Sequence, residues 1–453
     1  MFIDTHCHLF SKDFNDDLDE VIERAKQNGV DYIIVPATDL ESSGKVLELV
    51  EKYNFIYGAV GVHPQDSANW SDEWLGKIEE FAKHEKIVAI GEIGLDYYYE
   101  YSPRQTQIDS FKKQLELAIK LNKPAIIHNR EADEDTMAII REYTAKGLVA
   151  QLHCFNGSLK DARELVEMHH YISFTGNITF KKSENLISIL EHVQPDNLLL
   201  ETDSPYMSPV PLRGRRNEPA NVKFVAEKIA EVHHLRLEDI ARTTSYNAYK
   251  LYGIGEKPML HFTYRIGNSL YVNVTNRCDS DCIFCDRKGA AVISGYNLKM
   301  TKSQEPGPEV YISEIGDPKK YKEIVFCGYG EPTVRWDVVR EVARYVKESG
   351  GKTRINTDGH GNVINKRDIT PEFKGVIDTV SISLNSTDPE EYGRLMRVDP
   401  SMHAEMISFA KNVKNYAGNV VMSIVGMNEI DTEKAKSFVE NSMGVDFRIR
   451  EYF

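Results

Sequence analysis

Asp31-Tyr-Ile-Ile-Val-Pro-Ala37 contains an unbroken apolar run, Ile33-Ile34-Val35, just after an amphipathic stretch has ended. A strand with one wet face alternates apolar and polar residues. An unbroken run suits a parallel strand covered on both faces. Similar runs recur to either side, and strands are read at 2–6, 31–37, 55–62, 87–92, 124–128, 148–153, 171–176 and 197–203. Between them Asp17–Gln27, Asp72–His84, Gln105–Leu121 and Leu159–Met168 place apolar residues at steps of three and four, the spacing of helices. Eight strand–helix units in about 250 residues predict an α/β fold with a closed parallel (β/α)8 TIM barrel, an open doubly wound sheet being the alternative.

Further along, Tyr252-Gly-Ile-Gly-Glu-Lys-Pro258 combines two glycines and a proline after a long helical pattern, which reads as a helix end and a domain boundary. The expected organisation is a first domain over 1–254, a linker over 255–267 and a second domain over 268–453. Strand-like runs restart at 269–275, 323–327, 353–357, 378–384, 420–426 and 446–451, six units and too few to close an eight-stranded barrel. The last run ends two residues before the sequence does, so no further domain is expected.

The 453 residues carry a net charge of −14, with 41% hydrophobic and 27% charged side chains. Large packed cores are therefore expected, and wholesale disorder and a polybasic nucleic-acid coat are excluded. A nucleic-acid substrate would need a local basic patch or metal ions. No apolar run reaches the ~18 residues of a membrane span. The start, Met1-Phe-Ile-Asp-Thr-His-Cys-His8, lacks the features of a secretory signal. A cytoplasmic protein with no membrane partner is expected. Six cysteines are too few for a disulfide scaffold, and their clustering suggests metal binding.

Barrel enzymes keep their chemistry at the C-terminal ends of the strands. His6 and His8 end the first strand and, two apart, point to one face. His63 follows the third strand, Glu92 ends the fourth, His128 the fifth, His153 the sixth and Asp203 the eighth. One strand-end histidine is usually structural, but this many imidazoles and carboxylates on one rim call for cations. Their donor types suit Zn2+, Mn2+ or Mg2+. There are ligands enough for two ions, which together can acidify a water and clamp a phosphoryl oxygen. Asp203 is the candidate general base. Glu201 lies on the same side of its strand as Asp203 and is a candidate partner behind the ligands.

The set His6-x-His8, Gly61-Val-His-Pro64, Gly91-Glu-Ile-Gly-Leu-Asp96, Pro124-Ala-Ile-Ile-His128, His153-Cys-Phe-Asn-Gly157 and Glu201-Thr-Asp-Ser-Pro205 resembles the TatD family of metal-dependent deoxyribonucleases over residues 1 to about 254. The resemblance implies an amidohydrolase-like barrel that hydrolyses DNA as a 3′–5′ exonuclease, on single strands or 3′ ends. It implies one metal on His6, His8, Glu92 and Asp203, and a second on His128 and His153 with Glu92 as bridge. His63 would stand just behind the ligands or touch the substrate phosphate, so Asp203, Glu92 and His63 are the expected catalytic residues. The run Leu212-Arg-Gly-Arg-Arg-Asn-Glu-Pro219 is also family-like, and its Arg213, Arg215 and Arg216 are candidate phosphate contacts, the alternative being a solvated turn. A rival reading keeps the metallohydrolase but gives it an amide or ester substrate.

In the second half Cys278-Asp-Ser-Asp-Cys-Ile-Phe-Cys285 follows the strand that starts at 269. Three thiolates so close can wrap an Fe–S cube, and the missing fourth ligand leaves one iron open. Zinc would need a further ligand such as Cys327 or His360. Gly328-Tyr-Gly-Glu-Pro332 follows the second strand, and glycines there allow close backbone approach to a ligand. Ser383 and Asn385 end the fourth, placed to meet a ribose hydroxyl. This constellation resembles the radical S-adenosylmethionine (SAM) superfamily over roughly 268–453. The resemblance implies a partial (β/α)6 barrel with a [4Fe–4S] cluster on Cys278, Cys282 and Cys285, and SAM on Gly328, Gly330, Glu331, Pro332, Ser383 and Asn385. It implies reductive cleavage of SAM to a 5′-deoxyadenosyl radical that acts on an unknown substrate, with an electron donor such as flavodoxin or ferredoxin. Tyr329 interrupts the family's paired glycine. Met422-Ser-Ile-Val425 is placed to offer a backbone strip to adenine, and Cys327 reads as a buried strand residue. The order of the two halves is similar to that of TatD-linked radical SAM proteins. A non-catalytic module that senses iron or SAM is the alternative for the second half.

Overall fold

Eight parallel strands run in chain order through one sheet of the computed structural model, which describes residues 1–427 and 430–450. They are β1 (Phe2–Asp4), β2 (Val30–Pro36), β3 (Ile56–Val60), β4 (Ile87–Asp96), β5 (Ala125–Arg130), β6 (Ala150–Leu152), β7 (Tyr171–Phe174) and β8 (Leu198–Leu200). The first and last strands meet: Thr5 N donates to Leu200 O at 2.9 Å, Asp203 N to His6 O at 2.9 Å and His8 N to Ser204 O at 2.8 Å. The result is the TIM barrel that the apolar runs predict.

Those runs are unbroken because both faces of each strand are covered. Ile33 and Val35 join the large cluster between strands and helices. Ile34, on the opposite face, joins Ile3, Ala59, Ala89, Ile126 and Leu199 in a second cluster. Tyr252 and Ile254 belong to that inner cluster, and the Tyr252 hydroxyl donates to Gln151 Oε1 on β6. The helices end where local chemistry stops them. Asp39 and Ser158 cap Leu40–Lys52 and Leu159–Glu167 with reciprocal hydrogen bonds. Gly253, at φ +71°, terminates Leu237–Tyr252, a conformation that favours glycine.

The chain divides into two compact units, Met1–Lys257 and Pro258–Phe453. In the second, six parallel strands lie in the order β10, β13, β14, β15, β16, β17. They span Ser269–Asn273, Ile324–Cys327, Thr353–Thr357, Thr379–Ser383, Asn419–Val425 and Asp446–Arg450; position 451 of the last expected run lies outside the described residues. The stretch expected as linker contains a seventh strand, β9 (Thr263–Ile266), paired antiparallel with β10. Gly267 sits at φ +56° in the tight turn between them, so the Gly-Asn pair at 267–268 makes a hairpin where a linker is expected. A small hairpin, β11 (Val292–Ile293) and β12 (Tyr296–Asn297), stands apart from the sheet. Trp336 stacks on Phe373 at 4.3 Å in the core of this unit. Among the described residues no helix is long and apolar enough to cross a membrane.

Candidate metal centre and cysteine loop

The strand ends of the barrel converge on one carboxylate. Glu92 Oε2 lies 3.3 Å from His6 Nε2 and 3.5 Å from His8 Nε2. Its other oxygen, Oε1, lies 2.9 Å from His128 Nδ1 and 2.9 Å from His153 Nε2. Asp203 Oδ1 closes the first group, 3.7 Å from His6 Nε2 and 3.4 Å from His8 Nε2. Within each imidazole pair the nitrogens face each other, at 3.2 Å for His6 and His8 and 3.1 Å for His128 and His153.

This donor set fits two cations. The ring nitrogen of His8 away from the centre, Nδ1, is 3.2 Å from Pro36 O, and that of His128, Nε2, is 3.2 Å from Asp96 Oδ2. A carbonyl and a carboxylate can only accept, so those nitrogens carry the protons and leave lone pairs aimed inward, as metal ligands require. His63 is the opposite case. Its Nδ1 accepts from Gln65 N at 3.2 Å, so its proton is on Nε2, 3.6 Å from Glu92 Oε1. In that tautomer it presents a proton to the centre, and its ring stands within reach of Glu92 and His128.

Burial opposes the charge on Glu92, yet His153 and His6 hold it well below the usual carboxylate range. Burial likewise opposes protonation of His128, but Asp96 and Glu92 raise it to about 9. Burial and the neighbouring His128 take His63 down to about 3. Glu201 is fully buried, which pushes it up to about 7. It accepts from Ser173 Oγ at 2.7 Å, from Gln151 Nε2 at 2.8 Å and from Cys154 N at 2.5 Å, and stands 3.9 Å from His153 Nδ1. The centre opens into a cleft of about 660 Å³ lined in part by Arg130, Tyr99, Tyr101 and Tyr206. The Tyr99 and Tyr101 rings stack at 5.2 Å, and the Arg130 guanidinium lies 4.9 Å from Tyr99 and 3.9 Å from Tyr98.

In the second unit the loop after β10 carries Cys278, Cys282 and Cys285, all free and half-buried. Asp281 N and Ile283 N donate to Met396 O and Leu395 O, so helix Pro389–Met396 supports the loop. Cys285 N turns back to Cys282 O at 3.1 Å. On the other side Glu331 N donates to Arg277 O, and a Cβ on Gly330 would lie 2.3 Å from Thr275 O and 2.5 Å from Arg277 O. Only glycine permits that approach. Glu331 is engaged internally: it accepts from Thr333 N, Thr333 Oγ1, Thr357 Oγ1 and Asp358 N. Three free thiols in one supported loop fit an Fe–S cluster with an open iron. Burial, and Asp358 near Cys278, keep the thiols of Cys278 and Cys282 protonated above their usual range.

Residues 3–253 match the sequence profile of the TatD related DNase family, more than half of the chain. The chain belongs to the TatD-related DNase family. Its second unit carries a radical SAM domain, matched by the radical SAM superfamily over residues 272–440. YabD of Bacillus subtilis, described as an uncharacterised metal-dependent hydrolase, is 44% identical over 254 residues, 56% of this chain and all of that protein. A Citrobacter koseri protein described as a 3′–5′ ssDNA/RNA exonuclease, TatD, is 34% identical over 259 residues, 55% of this chain and 98% of that one. The solved TatD homologue YjjV from Escherichia coli is 32% identical, with a TM-score of 0.54 over 56% of this chain and 98% of its own.

Within this TatD-family unit His6, His8, Glu92, His128, His153 and Asp203 come together, with His63 beside them. The arginine run does not join them. Arg216 is held by Asp17 Oδ1 at 2.7 Å and Oδ2 at 2.6 Å, and Arg213 lies over the Phe180 ring at 3.8 Å. None of Arg213, Arg215 and Arg216 lines the cleft. The cation that does is Arg130, two residues beyond His128 on β5. Asp96 is the other residue that sequence reasoning passed over. It lies four residues after Glu92 on one strand, on the same face, and that spacing was the available signal. In the second unit Asn385 is fully buried and, with Ser383, contacts Arg450.

Proposed function

We propose that the TatD-like unit hydrolyses phosphodiester bonds at the 3′ end of single-stranded DNA with two divalent ions bridged by Glu92. The observation that carries this reading is the division of one carboxylate between two imidazole pairs. His6, His8 and Asp203 would hold one ion, and His128 and His153 the other. Bound Zn2+, Mn2+ or Mg2+ would polarise a phosphoryl oxygen and acidify a water between them. The protein's own groups orient the rest. Asp203, at the lip of the centre and 8% exposed, is placed to accept the proton of the attacking water. The Nε2–H of His63, 3.6 Å from Glu92 Oε1 and on the lining of the cleft, is placed to donate to a bound phosphate. Arg130 offers a fork for a phosphate, and the Tyr99–Tyr101 stack offers a face to unpaired bases, which suits single strands.

For the second unit the reading is a [4Fe–4S] cluster on Cys278, Cys282 and Cys285, with SAM on its open iron. Such a cluster would supply an electron for reductive cleavage of SAM, drawn from a flavodoxin- or ferredoxin-like donor. Gly330 admits the backbone beside the cysteine loop, and Glu331 holds that backbone in place through its four hydrogen bonds. The setting that suits six free cysteines is the reducing cytoplasm.

The test combines metal analysis with end-labelled oligonucleotides. Anaerobically purified protein should contain two divalent ions and iron, and should degrade single strands from the 3′ end faster than duplex. Glu92→Gln should lose divalent ions and at least ~100-fold in rate. Full metal content with undiminished hydrolysis in that variant would falsify the two-ion reading.

A further inference from the structure

Arg450 ends β17, the last parallel strand of the second unit, and only neutral groups hold its guanidinium. Nη2 donates to Ser383 Oγ at 3.1 Å and to Asn385 Oδ1 at 3.4 Å. Nε is buried and has no hydrogen-bond partner among the described residues. No carboxylate among those residues forms an ion pair with it, whereas Arg354 on β14 meets Glu323 at 3.1 Å and Arg277 meets Glu305 at 2.7 Å. Arg450 is half-buried, and a guanidinium whose Nε–H is cut off from water with no partner and no counter-charge is costly. The arrangement makes sense if an anion completes it.

The surroundings are built to receive one. Asn385 also accepts from Val425 N at 3.2 Å, which fixes its carbonyl oxygen toward Arg450. Its amide nitrogen lies 3.1 Å from Met396 Sδ, which lies 3.6 Å from Cys282 Sγ, so the guanidinium is three contacts from the cysteine loop. The Ser383 hydroxyl accepts from Arg450 and keeps its own proton to donate. The charged or titratable groups that act on the guanidinium are Cys327 and Cys282 from other segments and Arg448 on its own strand.

The geometry points to an oxyanion subsite at Arg450 and Ser383, which receives the carboxylate or phosphate of a small molecule bound in the second unit. Two unclaimed nitrogens of a planar fork suit a bidentate oxyanion. The inference goes beyond assigning SAM to this unit. It holds whether the oxyanion is the carboxylate of SAM or belongs to a second molecule.

Full-length protein stripped with EDTA is melted in chloride and in inorganic phosphate at equal ionic strength. Phosphate should raise the melting temperature of the wild type by about 2–4 °C. It should leave the transition of the second unit unmoved in Arg450→Gln and retain part of the shift there in Arg450→Lys, whatever phosphate does to the first unit. In chloride, Arg450→Gln should melt no lower than wild type, because it removes an uncompensated charge. An Arg450 that serves only as a strut between Ser383 and Asn385 would give a lower value. Equilibrium dialysis of iron-reconstituted protein then assigns the source. A loss of about tenfold in SAM affinity in Arg450→Gln, with decarboxylated SAM unaffected, makes the oxyanion that of SAM; unchanged SAM affinity makes it that of a second molecule. The subsite is overturned by a wild type whose second unit is indifferent to phosphate, by a phosphate shift of that unit that persists in Arg450→Gln, or by a variant that melts lower in chloride. Iron content of the same preparations reports separately on the cysteine loop.

Discussion

Asp96 decides what His128 can do. Its carboxylate takes the outer ring proton and turns Nδ1 toward Glu92. Removal of such a partner weakens a metal ligand without touching the metal. Asp96→Ala should therefore lose about 10–100-fold in affinity for the ion on His128 and His153, while the ion on His6 and His8 stays bound. Stepwise metal titration followed by calorimetry reads the two sites apart, and an equal loss at both would count against this division. The residues that converge on Glu92 were legible because each is a polar residue that interrupts or ends an apolar run. Arg216 was not, because its partner Asp17 lies 199 positions away and nothing local marks that pairing. Asp96 falls within a motif but carries no local mark of its role, since a carboxylate that acts through another side chain looks like any other strand-end acid.

At the scale of elements, His170 joins three pieces of the barrel. Its Nδ1 accepts from Ala150 N on β6 at 3.1 Å, and its Nε2–H donates to Thr144 Oγ1 at 2.7 Å at the end of helix Asp133–Thr144. Both nitrogens are satisfied only in the neutral ring, and burial takes the pKa down to about 4. Between pH ~6.5 and ~4 the unfolded chain binds a proton that the folded one refuses, so stability falls as pH drops through that window. The loss is on the order of 3 kcal/mol at pH 4. Urea midpoints measured from pH 7 to 4 should show it, and His170→Gln should flatten the slope; a parallel slope in the variant would remove His170 as the cause.

The glycine at 330 belongs to the same scale, because it lets one loop lie on another. Gly330→Ala puts a methyl group against Thr275 O and Arg277 O. It should displace the cysteine loop and lower the iron bound per chain, as read by iron and sulfide analysis. Full iron in that variant would show that the approach is dispensable. Elements were more legible than their edges. Strand β9 follows directly on the Gly255–Pro258 break that reads as linker, although Thr263-Tyr-Arg-Ile266 before Gly267-Asn268 carried a hairpin signal of its own. Six parallel strands emerged from the sequence because their apolar runs are long. The support of the cysteine loop by helix Pro389–Met396 is a tertiary contact that no local pattern carries.

At the scale of the whole molecule, two candidate ligand sets of different character sit on one chain, nitrogen and oxygen in the first unit and sulfur in the second. Treatment with EDTA should abolish nuclease activity and spare the brown chromophore. Brief exposure to air should bleach the chromophore and spare DNA hydrolysis. Parallel absorbance and oligonucleotide assays check both, and joint loss under either treatment would mean that the centres are not independent. The outline of both units was readable in advance, since it rests on periodicity and strand-end chemistry. The choice of cation at the cleft was not, since Arg130 and the arginine run look alike until folded.

Tyr252 is the last residue of the barrel's final helix, and its hydroxyl holds Gln151, whose amide in turn holds the Glu201 carboxylate behind His153. The polypeptide thus leaves its first unit from a helix end that is hydrogen-bonded to the layer beneath the candidate metal centre. Loss of the Tyr252 hydroxyl would therefore loosen Gln151 and, through it, the carboxylate that stands 3.9 Å behind the His153 ring.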